Sequence, residues 1–551
     1  MPKRSKSEAK PLNPAWDSEV LLLAWLASCV SVVSFLFYYQ HGQITLYGDA
    51  VAHINIARRV FDSKTPGLLQ LGTVWLPLPH LLMIPFIFSK QLWQGGAGGS
   101  IPSLVAYCLS VIGIFRLTRG VLARGLPFDT PARVAAWIAA IVFAANPNLI
   151  YMQSTAMGEA LYLTLFVWSV VYFAEAQRGD QRALFKCGLC LFGACLTRYD
   201  GWFLAVAIVA LQMLSLTFPS VRPTKAALAK FILLAGAGPA LWLAYNGIVY
   251  RNPLEFENGP YSAKAIEQRT QTSGTPGHPG SGNPMLAGRY FLKSAEANVA
   301  QHEWLHRSWL VLALAGLVIG AVITPRAGIV ASANPAPRWP LLLLLVPTPF
   351  YALSVAYGGV PIFIPYWWPF THYNVRYGLQ LLPAFAIAFA MVIHWAMRAE
   401  ARIRIASVIG VLLFVAASYA SIWQATPICL EEARVNMRTR QEFERQLAMW
   451  LEKLPPDATL LMYLGDHVGA VERAGVPLNH TINEGNHRVW RQPVDTDGLW
   501  ERALANPTHY ADYVLAFEGD PVWGAVAKSN LRELVEIHVT GQARGILYRA
   551  R

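Results

Sequence analysis

The chain repeats one pattern that leaves few folds open to it: apolar runs close to twenty residues long, separated by short polar breaks. Such runs fall near 20–39, 101–115, 134–150, 160–175, 183–198, 202–218, 231–250, 308–323, 339–358, 378–397 and 405–423. About twenty apolar residues in a helix cross the roughly 30 Å hydrocarbon core of a bilayer. Only 14% of the residues are charged, whereas soluble domains carry about a quarter. The sequence therefore predicts a mainly α fold, a polytopic transmembrane helical bundle of about eleven spans. The segment 15–39 follows a basic start but lacks a small-residue cleavage site. It reads as a retained first helix rather than a signal peptide.

One further run, 75–93, contains three prolines and reads either as a span or as a helix lying in the interface. Charge decides between them. Without a crossing there, the inner loops 1–19, 116–133, 178–186, 222–230, 326–338 and 398–404 hold 19 Lys and Arg in 75 residues. The outer loops 40–100, 151–159, 198–201, 251–307 and 359–377 then hold 12 in about 150. The positive-inside rule favours this arrangement, with the N-terminus cytoplasmic and the C-terminus outside a plasma (inner) membrane. The net charge of +12 thus follows from topology. No basic, aromatic-interleaved stripe points to nucleic acid. The pair Cys187-x-x-Cys190 lies in an apolar run without nearby histidines and reads as core packing.

Two domains follow: 1–423, the transmembrane part with the first outer loop at 40–100, and 424–551, a small soluble α/β part on the outer face. The tail alternates strand-like runs (459–464, 513–517, 536–540, 545–548) with helical ones (431–454, 499–505). The loop 251–307 is rich in Gly, Pro and Ser around 272–284, and 359–377 is dense in aromatics, which suits the headgroup level.

The polar stretch 47–59 (YGDAVAHINIARR) follows the first span directly. Asp49 is read either as a helix cap or as a general base that removes a proton from an acceptor hydroxyl. His53 lies one turn further on the same face, and Arg58 and Arg59 a turn beyond, where they could hold an anionic leaving group such as a phosphate. Glu159, at the end of a short outer loop, is read as a helix-terminus acid or a site residue. Asp200, in TRYDGW, is read as a turn former or a site residue. With Arg198 these acids share the outer face although their segments lie far apart in sequence. His80, Arg269, Arg289, His372 and Arg376 are further candidates for contacting phosphate or substrate. In the tail, Gly465-Asp466-His467 and the loop 483–487 stand as rim candidates against ordinary loop polarity. No charged residue occupies the middle of a span, which argues against an ion-coupled transporter. The inner loops are too short to build a nucleotide-sugar domain, so a sugar donor used on the outer face would be lipid-linked.

These residues resemble the GT-C superfamily of integral-membrane glycosyltransferases, particularly protein mannosyltransferases and aminoarabinose transferases. Asp49 in YGDAVAHINIARR matches the catalytic acid of that family's first outer loop. VWLPLPHLL resembles its Pro-rich interfacial segment, and Glu159 in NPNLIYMQSTAMGEALYLTLF falls at its second acidic position. The resemblance is clearest over 40–205. It implies outer-face juxtamembrane helices and inverting transfer of a single sugar from a polyprenyl-phosphate donor to a protein, lipid or polysaccharide hydroxyl. Asp49 would be the base, and Glu159 would orient the acceptor or Asp49. Arg58, Arg59, Arg198 and Arg376 would hold the donor phosphate, and His53, His80, Asp200 and His372 the substrate. The chain departs from the pattern in having one acid where several relatives have an adjacent pair, Glu at the second position, and no WWD-like tripeptide. A divalent cation (Mg or Mn) is left open by these departures. The alternative reading of the same loop is a protein that binds or flips a lipid headgroup without glycosyl transfer.

Overall fold

The computed structural model describes residues 17–123, 129–217, 222–270, 277–322, 337–486 and 497–551. The first helix, α1 (Ser18–Gln40), starts where the Asp17 carboxylate accepts the Val20 N–H at 3.0 Å. Next come α2 (Gly48–Arg59) and the short helices α3 (Leu78–Met83) and α4 (Lys90–Gln94). Pro77, Pro79 and Pro85 break the run 75–93 into pieces too short to cross a bilayer. Then follow α5 (Ala97–Leu122), α6 (Thr130–Ala144) and α7 (Pro147–Gln153). The last two bend by 64° at Asn146-Pro147, where the proline ends one helix and Asn146 caps the next. The middle of the chain forms α8 (Glu159–Ala176), α9 (Gln181–Cys195), α10 (Asp200–Ser215), α11 (Lys225–Val249), α12 (Glu255–Asn258), α13 (Ala263–Thr270), α14 (Pro284–Ala297) and α15 (Glu303–Val322). After it stand α16 (Pro347–Tyr357), α17 (Leu382–Ala396), α18 (Ala401–Ala425) and α19 (Ile428–Leu451).

Each of the eleven apolar runs forms helix. By length and apolarity, eight helices among the described residues qualify as spans, or nine if the bent pair is one. The difference from eleven comes from α9 and α10, whose 15 and 16 residues fall short of the about twenty a straight crossing needs. Burial separates inner from lipid-facing helices: 89% of the span ending in α17 is buried, against 22% in α1 and in α11.

The remainder is a mixed sheet. Its strands are β1 (Leu460–Met462), β2 (Thr481–Ile482), β3 (Tyr513–Phe517), β4 (Arg532–Ile537) and β5 (Gly545–Arg549), in the order β2-β1-β3-β5-β4. β2, β1 and β3 pair in parallel, and β5 pairs antiparallel with both β3 and β4. Helix α20 (Val468–Ala474) links β1 to β2, and α21 (Leu499–Ala505), α22 (Pro507–Tyr510) and α23 (Pro521–Val526) flank β3. Strand β4 begins four residues before the run expected at 536–540. One apolar cluster runs without a break from Val20 in the first span to Leu547 in the last strand. The sheet is therefore built onto the bundle and shares its core.

Candidate active site

Arg376 organises the site. It lies two residues after Asn374, whose left-handed backbone (φ 56°) turns the chain back into the bundle. Its guanidinium donates to three carboxylates from three distant segments: Asp49 Oδ2 at 2.7 Å, Glu159 Oε1 at 3.1 Å and Glu432 Oε1 at 2.8 Å. Arg198 carries the network on, donating to Glu159 Oε1 at 3.0 Å, to Asp200 Oδ2 at 3.3 Å and to the Tyr351 hydroxyl at 3.0 Å. That hydroxyl in turn donates to Asp200 at 3.1 Å. The Tyr377 ring lies beneath both guanidiniums, 4.9 Å from Arg198 and 5.2 Å from Arg376. Four carboxylates thus share two arginines. Three are sealed in, at 3% side-chain exposure or less, while Asp49 is 40% exposed.

Asp49 therefore does not cap its helix. Tyr47 holds that position without a side-chain cap, and Asp49 sits in the first turn with Oδ2 on Arg376. Its other oxygen has no hydrogen-bond partner among the described residues. This carboxylate lines a cavity of about 670 Å³ between one face of α2, residues 69–75, the 249–266 stretch, α19, α20 and the loops following β1 and β2. Asn55, Arg59, Arg440 and Glu444 line it too, along with apolar groups such as Ile56, Leu71 and Trp75.

Asp49, Glu159, Asp200 and Arg198, which the sequence placed on one face, are thus brought together, and Arg376 joins them. The two arginines are consumed by carboxylates. Arg58 lies elsewhere: it pairs with Asp62 at 2.8 Å, donates to the Ile87 carbonyl at 2.6 Å and stacks on Phe61 and Trp93. Arg59 reaches the cavity, and its buried Nε lacks a hydrogen-bond partner among the described residues. His53 and His80 are buried and joined to each other, Nδ1 to Nε2, at 2.7 Å beneath the Trp75 ring. Burial depresses both, His53 to about 4 and His80 well below its ordinary value, so both rings are neutral at pH 7. His372 and the exposed Arg289 join neither network nor cavity. The side chains of Arg269 and Asp466, and all of His487, lie outside the described residues.

Glu432, Tyr351 and Arg440 escaped the sequence reading. Glu432 and Arg440 sit on a charged amphipathic helix whose residues look solvated, and Tyr351 lies in an apolar run. The only signal was the i,i+4 spacing of Arg440 and Glu444. Among the described residues no three His, Cys, Asp or Glu converge in a group that could hold a metal ion; the acids of the site face guanidiniums instead.

No protein-family model and no curated protein sequence matches this chain. Solved structures do. ArnT from Cupriavidus metallidurans bound to undecaprenyl phosphate superposes with a TM-score of 0.57 at 13% identity, over 97% of this chain and 98% of that one. The apo state of the same protein gives 0.54 at 12% identity over the same shares. A looser likeness, TM-score 0.46 at 13% identity, joins 91% of this chain to 69% of an Archaeoglobus fulgidus oligosaccharyltransferase tethered to an acceptor peptide. The chain has the ArnT fold over nearly its whole length, a mainly helical architecture of apolar spans with a small C-terminal sheet, as expected from its sequence.

Proposed function

We propose that this chain transfers a sugar from a polyprenyl-phosphate-linked donor to an acceptor hydroxyl at the outer face of the inner membrane, with inversion. The observation that carries this reading is the condition of Asp49. Alone of four converging carboxylates it faces the cavity, with one oxygen fixed by Arg376 and the other free to accept a proton. The acceptor oxygen forms its bond to the anomeric carbon while its proton passes to Asp49. The bond from that carbon to the phosphate oxygen breaks, and its electron pair leaves with the polyprenyl phosphate. Arg59, the one arginine of the four proposed from sequence that lines the cavity, adds to the positive field that draws an anionic headgroup into it. Glu159 and Arg376 orient the base. The undecaprenyl phosphate bound by ArnT, whose fold this chain shares, supports a polyprenyl phosphate ligand. The positive-inside distribution supports the outer placement of α2 and the C-terminal sheet.

Asp49→Asn tests the reading. Expected is normal abundance in the membrane with transfer reduced by about 10²–10⁴, the usual share of a general base, measured by mass spectrometry of lipid-linked sugars and products. Undiminished transfer would remove Asp49 from the chemistry. Retained binding of undecaprenyl phosphate by a wild-type chain that never cleaves a glycosyl bond would favour a headgroup binder or flippase.

A further inference from the structure

The cavity holds a second cation that enters from the opposite direction. Arg440 projects from α19 onto the start of α2, against the backbone of Gly48, the residue before Asp49. A methyl group at Gly48 would overlap its Nη1. The partner acid Glu444 enters a matching notch at Gly469 of α20, where a methyl would overlap its carboxylate. Glu444 Oε1 lies 3.1 Å from Arg440 Nε, an ion-pair contact without hydrogen-bond geometry. Arg440 makes no hydrogen bond among the described residues, and its Nε and Nη2 are buried without one. A guanidinium with one acid, Glu444, against its Nε thus lines the same cavity as the exposed carboxylate.

The arginines proposed from sequence cannot fill this place. Arg198 and Arg376 are enclosed by acids, and Arg58 is bound to Asp62 and backbone carbonyls. Arg59 lies ten residues beyond Asp49 on α2, about 15 Å of helical rise. In an inverting displacement the leaving oxygen is only a few ångströms from the hydroxyl that the base serves. A cation for that oxygen must stand at the Asp49 end.

Resting on the transferase reading above, we propose that Arg440 is a catalytic residue, supplied by the C-terminal part of the chain. Its guanidinium donates to the phosphate oxygen that receives the electron pair as the glycosidic bond breaks. Its planar fork suits phosphate, and Gly48 is the opening through which it reaches the reacting centre.

The test uses the full chain in lipid nanodiscs, with undecaprenyl phosphate as the binding probe and glycosyl transfer as the second readout. Arg440→Gln is expected to weaken binding of the probe roughly 10- to 100-fold, the loss of a hydrogen bond to a charged group, and to lower kcat at least as much. Arg440→Lys should fall between it and the wild type, since an ammonium lacks the fork. Asp49→Asn should bind the probe normally yet fail to transfer. Probe binding by Arg440→Gln equal to the wild type overturns the proposal. If that variant does not fold, Gly48→Ala decides, because it displaces the guanidinium without removing charge, and unchanged binding and turnover in it overturn the proposal equally. A wild-type chain that binds the probe without any Asp49-dependent transfer defeats the transferase reading instead.

Discussion

Single residues set the electrostatics of the site. Arg376 offsets three carboxylates that would otherwise repel one another in a closed space. Breaking a buried ion pair by deleting one partner costs about 3–5 kcal/mol, because an uncompensated charge stays behind. Arg376→Ala is therefore expected to lower the unfolding temperature in detergent by many degrees, besides abolishing transfer. A variant as stable as the wild type would mean that the acids are protonated or solvated without it. Sequence alone carried the identity of most of these residues but not their contacts. Arg198 and Arg376 read as phosphate ligands because an arginine beside a membrane normally finds an anion. In the structure their contacts are the protein's own carboxylates, which arrive from positions 49, 159, 200 and 432, a convergence that only the packed bundle creates.

At the scale of elements, the helices were legible because apolar periodicity must match the bilayer, so all eleven runs form helix. Strand β2, two residues long, left no alternating pattern to read, and β4 is a largely exposed edge strand whose apolar residues mark only its end. The short helices α2 and α3 are tied together by the His53–His80 pair. Burial holds His53 near pKa 4 against an ordinary value of 6.5, so the unfolded chain binds more protons between those limits. Stability is in place above pH 6.5 and is lost as pH falls toward 4, by about 1.4 kcal/mol per pH unit for this group. Thermal unfolding of His53→Gln should show a shallower loss between pH 6.5 and 4 than the wild type. Parallel curves would show that the ring is not held neutral.

At the scale of the whole molecule, the sheet and the bundle are joined along α2 and the loop after it. Asn55 donates to Glu472 Oε2, Gln70 donates to the Gly485 carbonyl at 2.7 Å, and Asn486 donates to Thr65 Oγ1 at 2.9 Å. Burial raises the Glu472 carboxyl well above its ordinary value, so the folded state binds its proton more tightly than the unfolded state. Its contribution is complete below about pH 4.5 and declines as pH rises through the folded value. Glu472→Gln keeps the Asn55 contact without an ionisable group. It should therefore hold its unfolding temperature better than the wild type as pH is raised from 5 to 9, and identical slopes would exclude a titrating Glu472 at this junction. Such joints were not legible, because they pair residues some four hundred positions apart.

Helix α19 ties these scales together. Over its 24 residues, about 36 Å of rise, it grips the turn before Arg376 through Glu432, leans Arg440 on Gly48 and packs Phe443 against Phe517 of the sheet. The watery half and the oily half of the protein thus share this strut as well as the α2 junction. On the proposed reading, a tug on the sheet would be felt at Asp49, and neither half could drift without throwing the reacting groups out of alignment.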